Sequence, residues 1–188
     1  MTNDIELLAK AWRVAAERHV HQRRKGESQE PYVNHLAEVA DLVAQATNGG
    51  DARLVAAAVL HDTIEDTDLS RGELASQFGE DVAGLVLEVT DDKSLPKQER
   101  KRLQEEHAPH LTARAKILKL ADKTSNIRAL ASSPPKDWPL ARKQEYLAWA
   151  RRVVDGLSGA NPLLEGQFSE AAGRLEALLT QEAAQQTT

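Results

Sequence analysis

The sequence predicts an all-helical protein, and three features carry that prediction. Apolar residues recur at spacings of three and four rather than two, the period of a helix face. Punctuation is frequent: capping residues open the periodic runs, and glycine or proline closes them. The segment Leu54-Val55-Ala56-Ala57-Ala58-Val59-Leu60 is apolar on nearly every side, which marks a helix through the middle of a core.

Residues 4–20 are expected as the first helix, with Ile5, Leu8, Trp12 and Ala15 or Ala16 on one face. A polar, basic loop covers 21–31. Residues 32–46 follow as a helix with Val33, Leu36, Val39, Ala40 and Val43 inward. Gly49-Gly50 ends it by tolerating positive φ. Asp51 is the expected N-cap of the core helix, 53–63. Ser70 and Glu73 form a capping box opening a short helix to Phe78, and 81–89 form another. After a turn at 91–96, Pro96 suits the first turn of a helix running to about residue 106. Thr112 caps a long helix through residue 131, which Pro134-Pro135 stops. Residues 138–157 and 162–182 complete the bundle, and the polar tail from 181 to 188 is expected to fray. No repeat or linker is visible. One domain over 1–188 is expected, with its core at about 4–180.

Composition narrows the function. A chain of 188 residues can bury a substantial core. With 4% aromatic residues, that core must come from Leu, Val, Ile and Ala. A net charge of −5 and a pI near 5.7 argue against general binding to nucleic acid or anionic membranes. The absence of cysteine removes disulfides, thiol nucleophiles and thiolate metal sites. The acidic N-terminus lacks a secretory pattern, and no apolar run approaches the ~20 residues of a membrane span. A cytoplasmic protein is expected.

The chemistry sits in His35, the dipeptide His61-Asp62, and Asp122. Any one of these alone is better explained as a hydrogen-bonded core histidine, a cap or an ion-paired aspartate. Together they come from three helices, and one pair lies at the end of the most apolar helix. Buried there without partners, His and Asp would be costly. Adjacent residues diverge by about 100° on a helix, so an ion would lie over the groove between them. Two imidazoles and two carboxylates suit Mn²⁺, Fe²⁺ or Zn²⁺ better than Ca²⁺. Glu65 and Asp66 follow closely. Glu65 would share the face of His61 and Asp62 if the helix persists, where it could orient a metal-bound water or take its proton. The alternative is an acidic helix end running into a loop. Two basic clusters, Arg23-Arg24-Lys25 and Lys93, Lys97, Arg100, Lys101 and Arg102, could offset the carboxylates for a polyphosphate. For the second cluster, a solvated face paired with Glu99, Glu105 and Glu106 is equally open.

The chain resembles the HD superfamily of metal-dependent phosphohydrolases, and more narrowly the hydrolase half of the RelA/SpoT proteins. The matching stretches are Arg24-Lys25, Pro31-Tyr32-x-x-His35, His61-Asp62-Thr63-Ile64-Glu65-Asp66-Thr67, Val89-Thr90-Asp91-Asp92-Lys93, and Leu118 to Lys123 with Asn126 and Arg128. Leu95-Pro96-Lys97, Glu99 to Gln104 and Gln144-Glu145-Tyr146 are most like the small stand-alone hydrolases, including the metazoan SpoT homologue. The resemblance implies an HD-domain helical bundle. It also implies hydrolysis of the 3′-diphosphate of guanosine tetraphosphate and pentaphosphate, with release of pyrophosphate and with Mn²⁺ as cofactor. It assigns His35, His61, Asp62 and Asp122 to the metal, Glu65 and Asp66 to the attacking water, and Arg24, Lys25, Asn126 and Tyr146 to the nucleotide. Leu36, the longer loop 26–30 and Ala129 depart from the family pattern and bear on base selectivity. The expected partner is therefore a small nucleotide, with no nucleic acid or membrane; a homo-oligomer stays open. Two alternatives remain: a broader phosphohydrolase acting on 2′- or 3′-phosphorylated nucleotides such as NADPH, and a catalytically silent nucleotide-binding module.

Overall fold

A computed structural model describes residues 3–186. Its helices are α1 (Asp4–Arg18), α2 (Val33–Ala46), α3 (Ala52–Leu60), α4 (Thr63–Asp66), α5 (Arg71–Phe78), α6 (Glu80–Val89), α7 (Lys97–His107), α8 (Ala113–Ser132), α9 (Leu140–Asp155) and α10 (Pro162–Gln186), with a 3-10 turn at Ala108–His110. The described residues contain no strand beyond an isolated bridge between Arg23 and Pro31. None of these helices is long and apolar enough to cross a membrane.

The core forms around α3. Leu54 and the run from Ala56 to Leu60 are fully buried, and α3 packs on α1, α2, α6 and α8. Small Ala56, Ala57 and Ala58 let these neighbours approach closely, while Leu36, Leu42, Leu118, Leu120 and Ile127 fill the space between them. The long α8 lies against α2, α6, α9 and α10, so it spans the bundle and carries side chains to both its halves.

Among the departures from the sequence expectation, two are helix ends and one is a helix face. The core helix stops at Leu60, not at residue 63. His61 Nδ1 donates to Ala58 O (2.8 Å) and Thr63 Oγ1 donates to Leu60 O (2.6 Å). Side chains thus take carbonyls that the next helical turn would need, and a new turn, α4, begins at Thr63. The C-terminal helix runs on to Gln186 instead of fraying from residue 181. Buried Lys143 reaches from α9 to Glu182 at 2.7 and 2.6 Å and holds that end down; residues 187–188 lie outside the described part. Ile5 is 76% exposed and does not join the inward face of α1.

The loop at 19–32 is ordered by the chain around it. Arg24 N donates to Glu30 O, and Tyr32 N donates to Gln22 O. Its tip rests on the end of α8: Ser28 N donates to Ser133 Oγ at 2.9 Å. A Cβ on Gly26 would fall 2.3 Å from Ser133 O, so only glycine allows this approach.

Asp51 caps α3 by accepting from Leu54 N at 2.9 Å. It also accepts two hydrogen bonds from Arg114 of α8, whose third donor reaches Asp81 of α6. One guanidinium thereby ties together the starts of α3, α6 and α8. Burial opposes charge on Asp51, but the Arg114 and backbone hydrogen bonds outweigh it and lower its pKa. Asp51→Ala should cost about 2 kcal/mol in urea unfolding, a lost cap plus a charged hydrogen bond. Because the native pKa is depressed, the difference from wild type should be full above the ordinary aspartate range and shrink as pH falls through the native value.

Candidate metal centre and substrate cavity

The break after Leu60 sets up the centre. On an unbroken helix His61 and Asp62 would diverge; here Asp62 sits at φ −97°, ψ 0° and swings its carboxylate back, with Oδ2 3.0 Å from His61 Nε2. His35 of α2 brings Nε2 to 3.6 Å from Asp62 Oδ2 and 3.3 Å from Asp122 Oδ1. Asp122 of α8 lies 3.8 Å from His61 Nε2 through the same oxygen. The rings of His35 and His61 meet edge to face, with centroids 5.2 Å apart. His35, His61 and Asp62 each offer one donor atom within 4.8 Å of the others.

The hydrogen bonds behind the imidazoles determine their tautomers. His61 Nδ1–H donates to the Ala58 carbonyl, so its Nε2 is free to carry a lone pair. His35 Nδ1 lies 2.9 Å from Ser125 Oγ, and the Ser125 hydroxyl donates to Glu38 Oε2 at 2.7 Å. A serine has one proton to give, so Ser125 accepts from His35 Nδ1–H, and the His35 lone pair also sits on Nε2. Both lone pairs face the two carboxylates. His61 Nε2 is buried without a hydrogen-bond partner. Such a set fits a divalent cation: two neutral nitrogens, two anionic oxygens, and partners behind the rings that fix their orientation. Electrostatics agrees. Burial works against charge on His61, yet Asp62 and Asp122 outweigh it and push the imidazole up to about 10. Burial pulls His35 the other way. The site is thus a strong attractor of positive charge. Lys123 Nζ, 3.2 Å from Asp122 Oδ2, contributes to holding that carboxylate well below its ordinary range.

Glu65 and Asp66 do not sit on a continuation of α3; the separate turn α4 delivers them. Asp66 is firmly held: it accepts from Gln22 Nε2 at 2.7 Å and from Lys93 Nζ. Glu65 is looser. It accepts from Asp91 N at 3.2 Å and lies 3.7 Å from Arg100 Nη1. Burial and then the charges of Asp91 and Asp62 raise its proton affinity. Asp66 is fixed in place by two donors, while burial leaves Glu65 poised to take a proton.

These groups open onto a cavity of about 620 Å³. Arg24, Lys25, Asn126 and Tyr146 all line it, together with His61, Asp62, Glu65, Asp66 and Asp122; His35 lies behind this wall. Arg24 Nη2 donates to Asn126 Oδ1 at 3.1 Å, and Asn126 Nδ2 donates to Asp122 Oδ1 at 2.6 Å. The loop is therefore wired to the centre through α8. The second basic cluster divides. Lys93, Lys97, Arg100 and Lys101 face the cavity, while Arg102 pairs with Glu99 and Glu106 in the solvated face.

Sequence reasoning gave no role to several groups. Tyr32 OH donates to Asp62 Oδ2 at 2.6 Å; burial and that carboxylate push the phenol far up, so it stays protonated. Ser125 and Glu38 set the His35 tautomer, and Gln104 Nε2 holds Asp91 Oδ2 at 2.5 Å. Ser125 lies one helical turn beyond Asp122, and Tyr32 three residues before His35; those spacings were the available signal. Gln104 closes the stretch Glu99 to Gln104 that carries the resemblance, and Glu38 had no such signal.

The comparisons with known proteins follow the same lines. An HD domain family model matches residues 11–151. The guanosine-3′,5′-bis(diphosphate) 3′-pyrophosphohydrolase MESH1 of Xenopus tropicalis is 48% identical over 168 residues, covering 89% of this chain and 94% of its own length. The Homo sapiens protein of that name is 47% identical, covering 88% and 92%. A solved structure described as a metazoan ortholog of SpoT that hydrolyzes ppGpp superimposes with a TM-score of 0.86 at 44% identity, over 91% of this chain and 96% of that one. By family model, sequence and structure, the chain belongs to the HD domain family, in the branch of the metazoan SpoT relatives.

Proposed function

We propose that this chain is a metal-dependent hydrolase that removes pyrophosphate from the 3′ side of guanosine tetraphosphate and pentaphosphate. One observation carries the chemistry: the Nε2 lone pairs of His35 and His61 converge with Asp62 and Asp122 beside a poised Glu65. The names of the relatives supply the substrate. The whole of 1–188 is read as one hydrolase domain acting in the cytoplasm on a small nucleotide.

The four residues would hold the cation, and the all-nitrogen-and-oxygen donor set suits Mn²⁺. Two carboxylates balance its charge. When bound, it lowers the pKa of water and polarises a phosphoryl oxygen. The protein's own groups do the rest. Asp66, fixed by Gln22 and Lys93, orients the attacking water. Glu65 takes its proton. The water oxygen bonds to the phosphorus that carries the 3′ oxygen. The bond from that phosphorus to the 3′ oxygen breaks, the 3′ oxygen leaves with a proton, and pyrophosphate carries the new oxygen. Arg24, Lys25, Asn126 and Tyr146 hold the nucleoside and its 5′ end, so the 5′-phosphates stay intact.

Product analysis with Mn²⁺ tests the substrate. Guanosine tetraphosphate should give GDP and pyrophosphate, while GTP survives and NADPH is a poorer substrate. Release of inorganic phosphate from GTP or NADPH at a comparable rate would favour the broader phosphohydrolase. Asp62→Ala should lose bound metal and turnover together; full metal content by mass analysis with a normal rate would remove Asp62 from the centre. Glu65→Gln should keep its metal and slow turnover by roughly 10²-fold, the scale of a lost proton acceptor. An unchanged rate would make Glu65 a surface acid.

A further inference from the structure

One stretch of the cavity wall is built from cations and aromatic rings rather than carboxylates. Lys97 and Lys101 of α7 and Lys25 of the loop line it. Arg142 of α9 stands over the Trp138 ring, 4.2 Å from the centroid, and Trp138 is part of the lining. Lys101 Nζ lies over Trp149 at 5.0 Å and over Tyr146 at 5.8 Å. The three rings pack as one floor, with Tyr146 5.6 Å from Trp138 and 5.2 Å from Trp149.

Elsewhere the surface cations are held mostly by acids: Arg151 by Glu176, Arg152 by Glu105, and Arg114 by Asp51 and Asp81. Here Arg142 and Lys101 are held over aromatic faces. A π face positions a cation without cancelling its charge. The acid nearby is Glu145, 60% exposed and 3.6 Å from Lys101. Burial and the charges of Arg142, Lys101 and Lys25 push the Lys97 ammonium below its ordinary range. Like charges gathered without matching acids cost stability unless an anion joins them.

We propose that Lys97, Lys101 and Arg142, with Lys25, form the subsite for the nucleotide's 5′-polyphosphate, and that this subsite selects by charge, favouring guanosine pentaphosphate over tetraphosphate. The inference rests on the hydrolase reading above and names the preference within it. Four cations exceed the charge of a single phosphate, so each added 5′-phosphate finds a further partner. Arg142 and Lys97 come from different helices, α9 and α7, and can meet a chain of phosphates from two sides. The aromatic floor keeps the Arg142 and Lys101 side chains from collapsing into solvent, which reduces the entropy lost on binding.

The test is a substrate series: guanosine 3′-diphosphate carrying one, two or three 5′-phosphates, with kcat/KM read from pyrophosphate release in Mn²⁺ at low salt. The wild type should gain roughly fivefold per added phosphate, the size of one good exposed ion pair. The double variant K97Q/R142Q should bring the three values close together. Equal kcat/KM for the three substrates in the wild type, or an undiminished gradient in the variant, would overturn the subsite. If the double variant does not fold, raising the salt on the wild type replaces it: the gradient must shrink, and a gradient indifferent to salt would equally overturn the proposal. Absence of pyrophosphate from all three would overturn the hydrolase reading itself.

Discussion

Everything at the centre depends on four polar side chains held at the end of an apolar helix. His35 and His61 are almost completely buried, and Asp62 and Asp122 reach them from a turn and from another helix. Water cannot compensate their charges there. Each is therefore anchored from behind: His61 by the Ala58 carbonyl, His35 by Ser125, Asp62 by Tyr32, Asp122 by Asn126 and Lys123. What the anchors leave free is the inward-facing lone pairs, which suit a divalent cation. The early end of α3 follows from the same arrangement, because the His61 and Thr63 side chains occupy the carbonyls that would continue it.

Around that centre the cavity wall carries both signs of charge. At the metal end, Asp66 is locked by two donors while Glu65 is held at a distance by one backbone amide and one guanidinium. Burial and the neighbouring carboxylates raise the proton affinity of Glu65. At the other end, cations rest on Trp138, Tyr146 and Trp149.

The connection between the ends runs through secondary structure. Arg24 joins Asn126, which joins Asp122, so the loop at 19–32 and the metal centre share α8 as a common beam. On the opposite wall, α7 carries Arg100 beside Glu65 and Gln104 against Asp91, while its other face pairs Arg102 with Glu99 and Glu106 in solvent. For this helix the sequence left a phosphate-facing cluster and a solvated face equally open, and the fold gives it both.

The all-helical fold, the core helix and its cap at Asp51, the capping box at Ser70 and the start of α8 at Thr112 were legible in the sequence, because periodicity and capping are local properties of the chain. The sequence also pointed to His35, His61, Asp62, Asp122, Glu65 and Asp66 as one set, because their residue types form a recognisable pattern in an otherwise apolar setting, and the fold brings them together. Tertiary structure decided what depends on neighbours distant in sequence. The break after Leu60 follows from hydrogen bonds that a pattern cannot rank. The tautomer of His35 is set by Ser125 and Glu38, which lie 90 and 3 residues away in sequence. The division of α7 into a solvated and a cavity face, and the gathering of Lys25, Lys97, Lys101 and Arg142 at one end, arise from helix packing. A sequence records which charges a chain carries; which of them are neutralised depends on how the helices come together.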